Sequence, residues 1–464
     1  MRPPYSPLPE PLLPTPRGRL SALLEHPLVA PLVMILKPPA LLFSALMTLL
    51  IKLLGWLLLV KPTYNRWRVR EGEDRLAPPP VGRVDYLLVG AICAICSLGL
   101  LMVYSASVTR AAHVMGSGTH FLAQQSIFMC LGMLLMFGFS KFDYRFLKRR
   151  AWIIFALTLI ALIMVFVPGI GKAAKGASRW LNLGFINVQP IEMVKLSFSI
   201  VLARLFSDPR TQTNRQLWST ACLIAPAVLL MRQPDLGSIV ILGYIYVVSL
   251  LLAGALQSLL IAATGLVALA GVVMWNLYSH VSRRIYDFLE QFNEGAELDY
   301  NLYQALISFG SGRWVGEGVG RSSQKNFFLP ESHTDFIFDI YGEELGFIGV
   351  VALLALYATV LSRGLLAARR ARDRFGAMLA ALITLLFFTQ ALVNMLMAVG
   401  MLPTKGLTLP LMSYGGSSLL IVCSGLGVLL NISRYRPPES HALTPEAPSP
   451  LAPPPLLTPP RSVT

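Results

Sequence analysis

The chain has 464 residues, 55% of them hydrophobic and only 14% charged, with a formal net charge of +15. Soluble domains carry about a quarter charged residues, so this composition excludes a water-soluble fold. The positive balance alone would suit nucleic acid, but Arg and Lys gather in short segments between long apolar runs, the positive-inside pattern of a membrane protein, and no nucleic-acid partner is expected.

In chain order, residues 1–39 are proline-rich and aperiodic and read as a disordered tail. They lack the charged start and short apolar run of a cleavable signal peptide. Ala40–Val60 is apolar and just long enough to span, but Lys52 interrupts it. A mid-bilayer lysine costs about 2.5–3.5 kcal/mol on insertion scales, so the segment either crosses or lies at the interface with Lys52 snorkelling. Lys61 to Arg83 is basic and should be cytoplasmic, and it completes an N-terminal extension over 1–84.

From Asp85 apolar runs recur near 86–107, 121–140, 152–169, 190–206, 217–231, 237–255, 258–278, 336–362, 376–400 and 417–433. They suit helices crossing a hydrocarbon core ~30 Å thick and do not alternate as barrel strands do. The basic linkers 141–151 and 363–375 fix cytoplasmic sides, which leaves 170–189, 279–335 and 401–416 outside. The expected fold is an all-α polytopic membrane protein. It has ten transmembrane helices over 85–436, an extra N-terminal hydrophobic segment at 40–60, and a large extracytoplasmic loop between helices 7 and 8. Residues 437–464 read as a disordered Pro-rich cytoplasmic tail. All five cysteines fall in apolar stretches, and Cys93-Ala-Ile-Cys96 reads as two small packing residues rather than a redox or metal pair.

The outer segments hold the groups that could do chemistry. The loop 279–335 contains Glu294, Glu297, Asp299, Glu331, His333 and Asp335. Arg179 and Trp180 precede Gln189-Pro190-Ile191-Glu192, and Glu192 and Lys195 share a helix face where each would be costly alone in lipid. That pair either orients the bundle or serves a polar site. Arg232–Ser238 reads as a tight turn. Leu402–Pro410 and Ser413–Ser418 are broken by Pro and Gly, and irregular backbone at membrane depth is tolerated only where it is buried or lines a cavity. A cavity open to the outer leaflet is the functional reading. His333 between two acids has no metal-ligand spacing and is expected in a hydrogen-bonded network. Asp339 and Glu343, four apart, should face the bundle or the cavity.

Six ordered motifs carry a family resemblance: Met102-Val103-Tyr104-Ser105-Ala106-Ser107, Gly176-Ala177-Ser178-Arg179-Trp180, Gln189-Pro190-Ile191-Glu192 with Lys195, Gln233-Pro234-Asp235-Leu236-Gly237, Phe328-Leu329-Pro330-Glu331 through Phe338, and Lys405–Pro410 with Ser413–Ser418. Over Asp85–Arg436 the chain resembles the SEDS family, the FtsW, RodA and SpoVE group. Gln324–Glu331 is more similar to the division and sporulation branches than to the elongation branch. The resemblance implies a ten-span peptidoglycan glycosyltransferase in the cytoplasmic (inner) membrane, acting on lipid II. Implied partners are a class B penicillin-binding protein, which is a transpeptidase, and other divisome membrane proteins.

Such a reaction inverts the donor sugar and needs a base for the attacking hydroxyl, a role a carboxylate fills in inverting glycosidases. The family carboxylate is an aspartate before proline; ungapped matching through Tyr300 places it at Glu294, where the Asp-Pro pair is absent, and Glu297 and Asp299 are the alternatives. Arg179, Lys195, Arg283, Arg284 and Lys405 are candidates to face the leaving pyrophosphate, and a divalent cation, Mg or Mn, is the one cofactor left open. The expected substrate-binding set is Arg179, Trp180, Glu192, Lys195, Gln324, Glu331, His333, Asp335, Lys405 and Ser413. Two other classes compete: a lipid flippase, against which the absence of a visible inverted repeat argues, and a non-catalytic scaffold, which the missing aspartate keeps open.

Overall fold

The computed structural model describes residues 82–174, 177–182, 184, 186–207, 214–291, 299–325, 332–403 and 406–434. The segment 40–60 and both expected tails lie outside the described residues. Helices stand at all ten expected positions: α1 (Tyr86–Met115), α2 (His120–Lys141), α3 (Arg145–Met164), α4 (Pro190–Ser207), α5 (Arg215–Arg232), α6 (Leu236–Leu252), α7 (Gln257–Leu277), α10 (Ile337–Arg370), α11 (Arg374–Ala398) and α12 (Gly416–Arg434). Between α7 and α10 lie two more, α8 (Ser279–Glu290) and α9 (Tyr300–Gly312). Among the described residues, α1, α2, α7, α10, α11 and α12 are long and apolar enough to cross a membrane, and α6 is a shorter apolar helix. The basic start of α3 and the charges Glu192, Lys195 and Arg204 of α4 lower the apolar character of those two. The chain is a multi-pass α-helical membrane protein.

Local sequence explains the helix starts. Asp85 accepts from Leu88 N at 3.1 Å, Asp235 from Ser238 N at 3.3 Å and Asp373 from Gly376 N at 2.7 Å, each supplying a cap to an orphan N–H. Helix α11 is central, with 72% of its apolar window buried, and packs against α4, α6, α10 and α12. By contrast α7 is peripheral, with 11% buried, and leans on α6 and α8. At the basic end, Asp85 pairs with Arg363 at 2.7 Å, and Tyr144 OH donates to Asp373 at 2.6 Å. Burial, and then the charge of Asp373, holds the Tyr144 phenol well above its ordinary value.

The all-α expectation needs one addition and one refinement. The loop 170–189 carries a small antiparallel sheet of order β1-β2-β3, with β1 at Gly171–Ala174, β2 at Ala177–Asn182 and β3 at Asn187–Val188. Strands this short, in Gly- and Ala-containing sequence, leave no usable alternation in the hydropathy. Helix α10 is broken at Gly346, whose φ of 65° and ψ of −167° are far from helical. The positive φ explains why glycine stands there.

Candidate active site

The helices and the segments that join them assemble three groups of polar side chains. The first is a solvent-open cavity of about 300 Å³ lined by Arg283, Arg284, Asp287, Gln291, Asp299 and Asn301 with Phe288, Leu302, Leu402 and Pro403. Helix α8 supplies the arginines; Trp275 of α7 meets Tyr286 at 5.0 Å and Val281 is buried, which sets α8 down on the end of α7. Arg283 reaches Asp287 at 3.9 Å from a side chain that is 84% exposed, so this contact holds little. Asp299 begins α9, and its Oδ2 is buried with no hydrogen-bond partner among the described residues. Asp299 thus lines the same cavity as Arg283 and Arg284.

The second group lies between α4, α11 and α12. Glu192 and Lys195 form a buried pair at 2.7 Å, and Lys195 also donates to Gln390 Oε1 at 3.1 Å. A small space of about 30 Å³, room for about one water, lies beside them, lined mostly by apolar side chains such as Leu196, Phe387 and Val422.

The third group knots the segments 332–336 and 406–415 onto the helices. Ser413 Oγ accepts from Leu409 N at 2.8 Å and donates to Thr334 O at 2.6 Å. Gln125 of α2 donates to Ser413 O and accepts from Gly415 N. Asn394 of α11 donates to the carbonyls of Asp335, at 3.0 Å, and Leu407. His333 packs between the rings of Phe121 and Tyr414, with centroids at 4.7 and 5.7 Å, and its carbonyl accepts from Tyr414 N. Burial raises the Tyr414 phenol above its usual value, and that hydroxyl donates to Gln124 at 2.6 Å. Irregular backbone is therefore satisfied by side-chain amides from neighbouring helices, as it must be where water is scarce.

One helix joins the three groups. Helix α11 presents Gln390 to Lys195 and, one turn later, Asn394 to the knot. The carbonyl of Gly400, just beyond its end, accepts from Gln291 of α8 at 3.2 Å. Neither amide belongs to the sequence-based site set, although two amides four apart in an apolar run are a visible signal.

Of the expected site residues, Glu294, Glu297, Glu331 and Lys405 lie outside the described residues. Arg179 donates to the carbonyls of Gln233, at 3.2 Å, and Pro234, at 2.8 Å, tying β2 to the end of α5. Trp180 is half-buried, opposite Lys172 in the sheet. Gln324 is buried, with Oε1 unpartnered among the described residues. Asp335 comes close to Gly406, where any side chain would meet its carboxylate. Among the described residues no three His, Cys, Asp or Glu side chains come together as a metal site.

A multi-pass helical bundle with a polar cavity and an amide-pinned rim defines the class, a polytopic α-helical membrane protein. The model of the cell cycle protein family FtsW/RodA/SpoVE matches residues 86–437, and the chain belongs to that family. It is 38% identical to the probable peptidoglycan glycosyltransferase FtsW of Trichlorobacter lovleyi, covering 77% of this chain and 94% of that one. It is also 36% identical to the protein of the same name from Methylococcus capsulatus, covering 75% and 89%. Among solved structures it resembles a chain of a peptidoglycan synthase complex described as coordinating polymerization and crosslinking, with a TM-score of 0.62, 28% identity and coverage of 76% and 98%. Rod shape determining protein RodA of Thermus thermophilus matches with a TM-score of 0.57 and 28% identity over 76% and 98%.

Proposed function

We propose that this chain is a peptidoglycan glycosyltransferase that polymerises lipid II into glycan strands during cell division. The acceptor sugar hydroxyl attacks the anomeric carbon of the donor, the bond to undecaprenyl pyrophosphate breaks, and a loop carboxylate takes the hydroxyl proton. Single displacement inverts the anomeric centre, which suits a carboxylate acting as base rather than nucleophile.

The observation that carries this reading is the cavity under α8, where Asp299, whose Oδ2 has no hydrogen-bond partner among the described residues, lines the same wall as Arg283 and Arg284. Guanidinium groups offer paired donors matched to phosphate oxygens, so they suit the departing pyrophosphate. Glu294 is the preferred base on the sequence match, and Asp299 is the alternative. Relatives sharing more than a third of their residues bear the glycosyltransferase name. The likeness to a synthase complex supports a class B penicillin-binding protein as partner. On this reading the cavity opens at the outer face of the cytoplasmic membrane, alongside other divisome proteins.

The test is labelled lipid II presented to the purified protein, with and without its transpeptidase partner. Glycan strands support the polymerase; lipid movement without strands supports a flippase, and neither supports a scaffold. Removing a general base lowers the rate by about 10²–10⁴-fold. Loss with Glu294→Ala and retention with Glu294→Asp assigns Glu294. Full activity in Glu294→Ala with loss in Asp299→Asn moves the base to Asp299.

A further inference from the structure

The reaction scheme leaves unused two consecutive acids, Glu343 and Glu344, both fully buried in the first turns of α10. Around them the segment 313–325 is wound tightly. Glu343 accepts from Ser322 Oγ, and from Ser323 N and Oγ, both at 2.9 Å. Glu344 accepts from Ser105 of α1, from Ser322 N at 3.4 Å and from Lys325 Nζ at 3.4 Å. Burying carboxylates this deeply is unfavourable unless donors surround them, and the donors here come from the outer loop and from α1.

The backbone at the Gly346 break makes a second set of bonds between the same partners. In an unbroken helix the carbonyls of Glu343 and Glu344 would accept from Phe347 N and Ile348 N. Here they accept from Glu317 N and Gly318 N, both at 3.0 Å. Phe347 N and Ile348 N donate instead to Arg313 O at 2.9 Å and Trp314 O at 3.1 Å. Helix α10 has exchanged two of its own hydrogen bonds for four with the chain that leaves α9. A side chain on Gly346 would overlap the backbone of Gly316, and one on Gly316 would overlap that of Glu344. The exchange therefore has no slack.

Helix α9 runs from this junction back to Asp299. Its 13 residues span about 20 Å at 1.5 Å each, so a tilt of about 3° at the junction shifts the far end by about 1 Å. A displacement of that size at a reacting group can cost about 100-fold in rate.

We propose that Glu343 and Glu344 are positioning residues. They clamp the 313–325 segment rigidly to α10 and α1, and through α9 they set where Asp299 stands in the cavity. The inference rests on the polymerase reading above, in the form that makes Asp299 rather than Glu294 the base. Neither glutamate touches substrate; their effect falls on the turnover step rather than on lipid binding.

The experiment uses the full chain with labelled lipid II, in two arms. In the first, Glu343→Gln and Glu344→Gln are each expected to lower kcat tenfold or more with KM within twofold. Wild-type kcat in both glutamine variants, or a loss confined to KM, overturns the proposal.

The second arm does not depend on those variants folding. Trp314 and Phe347 are exposed, with ring centroids 5.2 Å apart across the junction. Trp314→Cys/Phe347→Cys in a cysteine-free background is bridged by a short bis-methanethiosulfonate. A rigid clamp is expected to cross-link in high yield and to polymerise within twofold of the unbridged protein. Failure to cross-link, or a tenfold loss reversed by reductant, overturns it. Absence of strands from the unmodified protein removes the polymerase reading itself, whereas normal strand synthesis by both glutamine variants removes only the clamp.

Discussion

Lys195 shows what a single side chain does in this bundle. It is 2% exposed, and its ammonium satisfies both Glu192 and Gln390. Taking away the cation strands a buried carboxylate, a loss of about 3–5 kcal/mol, whereas removing both charges together is close to neutral. Lys195→Met is therefore expected to lower the thermal unfolding midpoint in detergent sharply, with Glu192→Gln added to it recovering most of the loss. Equal losses in the single and double variants would show that the pair is not coupled. The pairing was legible beforehand, because two opposite charges three apart in an apolar run have few other ways to enter lipid. Gln390 was not, since it arrives from α11, far along the chain. The base is a similar case: sequence narrows it to three carboxylates, and among these the structure describes only Asp299, which lines the same cavity as Arg283 and Arg284.

At the scale of elements, the packing of α2 on α12 depends on small residues that let the backbones approach, as membrane helices require when water is absent. A Cβ on Gly132 would press on Cys423 Sγ at 3.0 Å, and one on Gly427 would sit 2.5 Å from Met136 O. Gly427→Val is expected to destabilise by about 1–3 kcal/mol through overpacking. Gly138→Ala, on an exposed face of α2 with nothing within 4 Å of the new methyl, should stay within about 0.5 kcal/mol of wild type. Melting curves of the two variants side by side check this, and equal shifts would deny the close approach. The positions of the spans were readable because hydropathy responds to length and composition alone. The break in α10 was not, because it depends on hydrogen bonds from the distant segment 313–318, and the three-strand sheet was not, because its strands are too short to alternate. The long loop 279–335 concealed α8 and α9 for a different reason: α8 carries a clear amphipathic period, but lies in a stretch read for its charges.

The whole molecule is polarised along its axis. One end gathers the basic linkers and their ties: Arg363 to Asp85, Arg434 to Ser140 O at 3.2 Å, and Arg204 to the carbonyls of Lys148 and Arg149. The opposite end holds the sheet, the amide-pinned knot and the cavity beneath α8. Positive charge on short loops is retained in the cytoplasm, so the cavity should open on the other side, where a lipid-linked sugar headgroup presents itself. Single cysteines placed in a cysteine-free chain can test this in spheroplasts with a membrane-impermeant maleimide. Arg283→Cys, whose native side chain is 84% exposed, is expected to label before lysis, and Lys141→Cys, in the exposed basic linker, only after permeabilisation. Labelling in the reverse order would place the arginines and Asp299 in the cytosol. There they would face precursors still being assembled, and the cavity could not polymerise strands on the outer surface, whatever its carboxylates can do.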